Sequence, residues 1–319
     1  MIIKKTKELI FTEKPTDSCH ASTVLPLSGG RVVAAWFAGT AEGADDVDIL
    51  TCVRTADGWG VPVRVSADPA TPHWNPVLFE LNDGRIILFF KVGKKIPMWK
   101  TYFCTSEDGV RWSEPRELVP GDISGGRGPV KNKPIRLKSG RVVAPASDER
   151  NTLWVCFADI SDDDCKTWNR RPTVPTKSAK SFYVPMIQPT LWQSDDGAVH
   201  MLTRTQRGRI YRSDSYDEGE SWCRAYRTAL PNNNSGIDLV RAQNGKIYLV
   251  YNPVGKNWGT RSPLDLAVSE DGGESFKQLL RLESGEGEFS YPAITELDGL
   301  LHITYTYKRE YIAYWKIEI

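Results

Sequence analysis

Polar residues with the chemistry of catalysis or ligand binding stand at the start of six predicted β-strands. Each of these strands runs into a tight turn that contains glycine. The six starts are Cys19-His20-Ala21, Trp74-Asn75-Pro76, Asn132-Lys133-Pro134, Ile187-Gln188-Pro189, Ser235-Gly236-Ile237 and Ser290-Tyr291-Pro292. Proline at the first residue of a strand loses no ladder hydrogen bond, so strand geometry accounts for the prolines. It does not account for the histidine, asparagine, lysine, glutamine and tyrosine at five of these starts.

A second group of candidate residues is basic. The chain is nearly neutral, with 41 Lys and Arg against 40 Asp and Glu. Basic residues nevertheless recur at the six strand starts and in the loops expected on the same face, which together form one rim. The residues are Lys91, Lys131, Lys133, Arg204, Arg207, Arg261 and Arg309. Because arginine matches a carboxylate with two parallel hydrogen bonds, this asymmetry indicates an anionic ligand.

The elements that position these residues repeat along the chain as glycine turns between alternating apolar runs. The turns are centred on Gly30, Gly84, Gly140, Gly197, Gly245 and Gly299, which are 54, 56, 57, 48 and 54 residues apart. Ser, Asp or Asn precedes the glycine in five of these turns and the Gly29-Gly30 pair in the first, as hairpins that need a positive φ favour. The pattern predicts six hairpins that span the chain.

A second repeat lies out of phase with the glycine turns. Residues 215–222 and 269–276 share the pattern Ser-x-Asp-x-Gly-x-Ser-aromatic, residues 161–168 and 106–112 are looser copies, and 55–59 is an eroded one. The aspartate in each copy suits a turn in which its carboxylate accepts backbone N–H bonds. We therefore assign Asp108, Asp163, Asp217 and Asp271 to structure, on the face opposite to the strand starts.

Two alternating hairpins within a unit of about 54 residues predict one four-stranded antiparallel blade. Six such units predict an all-β, six-bladed propeller that forms a single domain over residues 1–319. The last unit has room for three strands after Ser290, so residues 2–11 are expected to supply the fourth and close the ring. No Pro/Gly/Ser-rich linker interrupts the period. A β-sandwich is the structural alternative.

With its repeated Asp turns and its order of polar strand starts, the whole chain resembles the sialidase clan of BNR/Asp-box propellers, in the group of predicted neuraminidases. The resemblance implies a tyrosine nucleophile activated by glutamate, an aspartate acid/base and three arginines that hold the sugar carboxylate. By position in the repeat, Tyr291 matches the nucleophile, Asp46 the acid/base, and Arg204 and Arg261 the second and third arginines.

Two positions depart from the family pattern. The first arginine is missing, and His20 stands near its place, while Gln188 replaces the activating glutamate. Glutamine cannot act as a base, whereas a tyrosine nucleophile needs a base or a nearby cation. Each candidate also has a structural interpretation: a core histidine for His20, a channel plug for Tyr291, blade-to-blade ion pairs for the arginines, and a turn cap for Asp46.

Three functions are therefore compared. The first is an exo-acting glycoside hydrolase that releases a terminal acidic sugar, with Tyr291, Asp46, His20 and Gln188 as catalytic candidates. Its substrate-binding candidates are Arg204, Arg261, Lys133, Asn75, Lys131 and Arg207. The second is a lyase that cleaves a uronic-acid glycoside with His20 and Tyr291 as base and acid. The third is a sugar-binding propeller without activity, since a fold does not imply a function.

The rest of the sequence narrows the partner. A net charge of +1 gives no sign of a nucleic-acid partner, and no apolar stretch is long enough to span a membrane. The expected partner is an acidic oligosaccharide or glycoconjugate, with neither metal nor cofactor. Six scattered cysteines without a Cys-x-x-Cys pair suggest reduced core thiols. The chain as written lacks a signal peptide, so we expect a cytoplasmic protein, or an exported one if a signal precedes this sequence.

Overall fold

The computed structural model describes residues 4–150, 153–176 and 183–319, and these residues form six antiparallel sheets arranged as the blades of a β-propeller. The first strand, β1 (Lys5–Leu9), belongs to the sixth blade. Blade 1 contains β2 (Ser18–Pro26), β3 (Val32–Gly39), β4 (Asp48–Thr55), β5 (Gly58–Trp59) and β6 (Val63–Val65). Blade 2 contains β7 (His73–Glu80), β8 (Ile86–Val92), β9 (Lys100–Ser106) and β10 (Arg116–Glu117).

The remaining blades follow the same order from the channel outward. Blade 3 contains β11 (Ile135–Arg136), β12 (Val142–Arg150), β13 (Leu153–Ser161) and β14 (Asn169–Arg170). Blade 4 contains β15 (Met186–Gln193), β16 (Val199–Thr205), β17 (Arg209–Ser215) and β18 (Tyr226–Pro231). Blade 5 contains β19 (Asp238–Arg241), β20 (Ile247–Tyr251), β21 (Leu264–Ser269) and β22 (Lys277–Glu283). Blade 6 contains β23 (Phe289–Leu297), β24 (Leu300–Tyr307) and β25 (Tyr311–Glu318), with β1 outermost.

The six-bladed, four-stranded prediction is confirmed, with the outermost position of blade 1 shared by two short strands, β5 and β6, that both pair with β4. Each strand before a glycine turn is innermost in its blade. Two 3-10 turns, Ser28–Gly30 and Ile96–Met98, are the helical elements of the described residues. No helix in that part of the chain has the length and apolar character that a bilayer span requires.

Strand β3 shows why the second strands are apolar throughout. All eight of its residues are buried, because successive side chains point to opposite faces and a blade packs on each side. Val33, Ala35 and Phe37 face blade 2 in one apolar cluster. Trp36 and its even-numbered neighbours face blade 6, where Ile312 and Tyr314 complete another.

The four aspartate turns connect the third and fourth strands of blades 2 to 5. In blade 4, Asp217 accepts the Ser221 N–H at 2.9 Å, and in blade 5 Asp271 accepts the Ser275 N–H at 3.0 Å. Asp108 and Asp163 accept backbone N–H groups in the same way, at 2.8 Å. Antiparallel order places these turns at the opposite end of the blades from the inner-strand starts.

β-Bulges shape the starts of the inner strands in blades 1, 2, 4 and 6. Each bulge contains a non-glycine residue in the left-handed region: Ala21 (φ 54°), Asn75 (45°), Gln188 (52°) and Tyr291 (52°). Such conformations are costly and cluster at functional sites, and bulges re-aim side chains. The bulges also shift the sequence alignment in blade 1 by one residue, since Ala21, not His20, is equivalent to Asn75, Gln188 and Tyr291.

Ring closure by the N-terminal strand leads to a stability prediction. Strand β1 pairs with β25 from Lys5↔Ile317 to Leu9↔Ala313, and Phe11 stacks on Trp36 with ring centroids 5.2 Å apart. Removing residues 1–11 exposes the β25 edge and deletes the buried Ile10 and Phe11 side chains. We expect a loss of at least about 3 kcal/mol in unfolding free energy, since deleting one buried phenylalanine side chain alone costs about that much.

Thermal melting followed by circular dichroism and by tryptophan fluorescence checks this prediction. The truncated chain should melt at a lower temperature with both probes still coincident, because six blades share one ring of interfaces. A variant that lacks only residues 1–3 retains β1 and serves as the control. An unchanged melting temperature after removal of residues 1–11 would show that β1 does not hold the ring closed.

Candidate active site

Tyr291 lies at the centre of a cluster of cations at the channel mouth. Its hydroxyl accepts a 2.8 Å hydrogen bond from Arg204 Nη1. The Arg204 and Arg261 guanidinium carbons lie 5.7 and 5.4 Å from the centroid of its ring, and Lys131 Nζ lies 5.9 Å away. A bulge and a positive φ hold the tyrosine in place. The positive charges stabilise negative charge that develops on the phenolic oxygen.

Arg204, on β16, is only 2 % exposed and links blades 4, 5 and 6. Its Nη1 also donates to Gln188 Oε1 at 2.9 Å, and its Nε donates to Asn234 Oδ1 at 3.1 Å. Nη2 donates to the Asn234 carbonyl. Arg204, Gln188 and Tyr291 therefore form one hydrogen-bonded unit, as three of the predicted site residues.

Arg261 belongs to a second ion cluster that reaches the same tyrosine. Glu288 Oε1 accepts from Arg261 Nη1 at 2.7 Å and from the Ser290 hydroxyl at 2.6 Å, while Glu288 Oε2 accepts from Arg309 Nε at 3.0 Å. Burial alone would raise the pKa of Glu288, but Arg261, Ser290 and Arg309 hold it below its ordinary value. The carboxylate stays ionised and fixes both arginines.

Arg309 lies beside the start of the first inner strand. It lies in the β24–β25 turn of blade 6, and its carbonyl accepts the Cys19 N–H of blade 1 at 2.9 Å. Its Nη1 also pairs with Glu42. The sequence pattern predicts Arg309 only as a member of the basic rim. It does not single out Glu288, which stands two residues before the strand start at Ser290.

His20 packs against Tyr291, with ring centroids 4.2 Å apart. Its Nδ1 is 2.9 Å from the Thr306 hydroxyl and 3.8 Å from Glu288 Oε1. The ring is 1 % exposed, and burial, together with Arg309, Arg261 and other cations, keeps the pKa of His20 well below its ordinary value. The imidazole is therefore neutral near pH 7.

The two lysines of the third inner strand start have different surroundings. Lys131 Nζ donates to Asn132 Oδ1 at 2.8 Å and to the Ile237 and Pro292 carbonyls, and burial lowers its pKa to about 7. Lys133 Nζ pairs with Asp238 at 2.9 Å, and Asp238 also binds Thr190 and the Ile294 N–H. Lys131 thus borders Tyr291, whereas Lys133 belongs to a network that ties inner strands together.

The other predicted site residues lie apart from the hydrogen bonds of Tyr291. Asn75 is buried in the blade 2 bulge. Arg207 Nη2, on the blade 4 rim, donates to the Tyr183 carbonyl at 2.8 Å. Asp46 is exposed, and its carboxylate accepts the Thr40 N–H at 3.0 Å and the Thr40 hydroxyl. The hydrogen bonds from Thr40 lower the pKa of Asp46.

Three small or polar residues that sequence reasoning passed over complete the site. A Cβ on Gly236 would lie 3.1 Å from Lys131 Cε and 3.4 Å from Tyr291 Cα, so a side chain there would crowd the end of Lys131 that borders Tyr291. Asn234 positions Arg204, and the run Asn232-Asn233-Asn234 before the fifth inner strand was a signal for it. Glu149, at the end of β12, had no such signal.

Fold and site together define a six-bladed propeller with a tyrosine, arginine and histidine centre at one channel mouth. Residues 30–303 match the BNR repeat-like domain, so the chain belongs to that family. No curated protein matches the chain.

The chain is similar to several solved propellers. A protein of unknown function from Dyadobacter fermentans superposes with a TM-score of 0.79 at 16% identity, and the match covers 99% of each of the two chains. A Hadza microbial sialidase gives 0.78 at 16% identity, over 95% of this chain and 66% of its own. Trypanosoma rangeli sialidase gives 0.78 at 13% identity, over 99% of this chain and 60% of its own. The chain therefore spans less than two thirds of the length of both sialidases, and at these identities the likeness concerns the fold.

Proposed function

We propose that this protein is an exo-acting glycoside hydrolase that releases a terminal acidic sugar, sialic acid or a relative, from an oligosaccharide or glycoconjugate. The observation that carries the proposal is the hydrogen bond from Arg204 to the Tyr291 hydroxyl inside a ring of cations. A tyrosine nucleophile is an established alternative to the usual pair of carboxylates in glycosidases. The sialidase propellers with the same fold support this choice.

The arginines suit a carboxylate-bearing sugar. Glu288 occupies Arg261 Nη1, and within the described residues Arg261 Nε and Nη2 have no hydrogen-bond acceptor. These donors are available for a bidentate contact with a ligand carboxylate. With the carboxylate held there, the anomeric carbon beside it is brought toward Tyr291, whose ring is in contact range of the Arg261 guanidinium.

A lyase acting on a uronic-acid glycoside is the second candidate. Two observations favour it: no carboxylate of the described residues bonds to the Tyr291 hydroxyl, and the neutral His20 ring lies against Tyr291. In that reaction His20 takes the proton beside the sugar carboxyl, Tyr291 gives one to the leaving oxygen, and Arg204 and Gln188 neutralise the carboxylate.

Product mass separates the candidates in one experiment. The protein is incubated with sialosides, ketodeoxy-sugar glycosides and uronic-acid glycosides, and products are read by mass spectrometry and ultraviolet absorbance. Hydrolysis adds water to the substrate and yields no absorbing product, which is the expected result. An absorbing unsaturated uronide would establish elimination, and binding without any product would identify a sugar-binding propeller.

A further inference from the structure

Glu149 stands at the end of β12 on the face that meets blade 4. The Ser147 hydroxyl, two residues earlier, accepts the Gln188 N–H at 3.2 Å. Because alternate residues of a strand share a face, the Glu149 side chain lies on the same side, one step nearer the rim. Gln188 and Arg204 of blade 4 form the hydrogen-bonded unit with Tyr291. The Glu149 carboxyl is therefore a neighbour of that unit.

The Glu149 carboxyl lacks the partner that its burial calls for. Its Oε1 is buried, and no group in the described ranges forms a hydrogen bond with it. The neighbouring Arg204 directs its donors to Gln188, Tyr291 and Asn234 instead. Buried polar atoms are almost always paired, so an unpaired carboxyl oxygen near Arg204 needs an explanation.

The charged surroundings of Glu149 favour a carboxyl that retains its proton. Burial raises the pKa of Glu149, Arg204 of blade 4 lowers it, Asp148 of its own strand raises it, and the balance lies above the ordinary value. Cys156 of β13, opposite Ser147 in the strand pair, is itself kept protonated by burial, which raises the thiol pKa. A protonated carboxyl in a site is able to donate to a leaving oxygen.

The other carboxylates near this mouth are already occupied. Glu288 is held by Arg261, Arg309 and Ser290. In the blade 1 loop, Thr40 binds Asp46 through its N–H and its hydroxyl, and Lys94 binds Asp45 at 2.7 Å. Asp48, at the end of that loop, pairs through Oδ2 with Arg64 at 3.0 Å, and its Oδ1, which forms no hydrogen bond, lies 3.3 Å from His73 Nδ1. Each of these carboxylates thus has a cationic or hydrogen-bonding partner, whereas Glu149 Oε1 has none among the described residues.

We propose that Glu149 is the acid/base residue of this site, a role that rests on the proposed hydrolase function. Before the first step the Tyr291 hydroxyl releases its proton to solvent, and in that step its oxygen bonds to the anomeric carbon while the glycosidic carbon–oxygen bond breaks. The departing oxygen keeps the electron pair and takes the Glu149 proton. In the second step a water oxygen bonds to the same carbon, Glu149 recovers a proton from that water, and Tyr291 leaves as the phenolate.

The test compares Glu149→Gln with the wild type on two glycosides of the same acidic sugar. One carries a nitrophenyl leaving group, which departs without a proton. The other is a disaccharide, whose leaving group is the hydroxyl oxygen of a second sugar and requires a proton. We expect kcat/KM to fall by at least about 100-fold for the disaccharide and to stay within about threefold for the nitrophenyl glycoside. The wild-type rate on the disaccharide should decline at high pH as Glu149 loses its proton, and this alkaline limb should vanish in the variant.

Asp148→Asn is the matched control, since it makes the same kind of change on the other face of β12, where Asp148 pairs with Arg150 and Arg170. The ratio of the two substrates should be unchanged in it at a pH where Glu149 is protonated, and the alkaline limb should move to lower pH, because Asp148 no longer raises the pKa of Glu149. Equal losses on both substrates for Glu149→Gln would mean that Glu149 positions Arg204, and no loss would deny it any role. A selective loss in Asp46→Asn instead would move the acid to the blade 1 loop. Each of these outcomes overturns the proposal while the hydrolase function stands; a wild type without turnover overturns both.

Discussion

Tyr291→Phe is expected to reduce turnover by about 10³-fold or more while leaving the fold and ligand affinity nearly intact. Loss of a nucleophile that works within a unit costs most of the catalytic rate. The substitution deletes only the hydroxyl, which accepts from Arg204 at 2.8 Å. The ring keeps its packing on His20, and Arg204 keeps its bonds to Gln188 and Asn234. Steady-state kinetics, calorimetric titration and thermal melting together measure the three quantities.

The same variant separates a covalent role from an acidic one. A fluorinated acidic sugar with a good leaving group should add its mass to the peptide that contains Tyr291 in the wild type, and no label should form in Tyr291→Phe. Turnover that is lost without any labelled wild-type peptide would favour the elimination reaction, in which Tyr291 only donates a proton. A near wild-type rate in the variant would return Tyr291 to a structural plug of the channel.

Arg261→Lys is expected to weaken binding of an acidic sugar by well over tenfold. The guanidinium offers Nε and Nη2 as a planar pair, whereas a lysine offers one point charge and cannot bind a carboxylate in the same bidentate way. Truncating one partner of a charge-assisted contact costs on the order of 2 to 5 kcal/mol. Arg261 pairs with Glu288 at 2.7 Å, and because lysine keeps the positive charge, this ion pair should be retained. Calorimetric titration measures the affinity.

Two comparisons make the carboxylate assignment specific. The carboxyl-reduced analogue of the same sugar should lose almost nothing when Arg261 is replaced, because its hydroxymethyl group has no charge to match. Arg281→Lys, in the outer strand of the same blade and paired with Asp265, controls for a general effect of the substitution. Equal losses for the acid and for its reduced analogue would contradict the assignment of Arg261 to the ligand carboxylate.

The blades were predictable because their signals are local. Gly30, Gly84 and their four equivalents lie in turns where the glycine has a positive φ. The sequence pattern of such a hairpin does not depend on its place in the chain. Asp217 and Asp271 bind N–H groups within four residues of themselves. The closing strand was predicted by counting, since blade 6 was one strand short. None of these features depends on contacts between neighbouring blades.

The site was only partly predictable because it is made by contacts between blades. Tyr291, Arg204 and Gln188 were selected by their place in the repeat, and the structure joins them. The bulge that puts Ala21 in the place predicted for His20 leaves no mark in the residue pattern, because it shifts register by one residue. Arg309 acquires a role through Glu288, 21 residues away in sequence, and Glu149 through burial against blade 4. Such pairings require the closed ring.

Ring closure has a consequence for how a cell must make this protein. Strand β1 is synthesised first and its partner β25 last, so β1 waits without a neighbour while the other five blades emerge. An unpaired strand edge is a template for aggregation. Its sequence, Lys5-Thr6-Lys7-Glu8-Leu9, carries three charges in five residues, which discourages pairing with other nascent chains. Strand β1 therefore closes the finished ring, and its charges limit aggregation while the ring is incomplete.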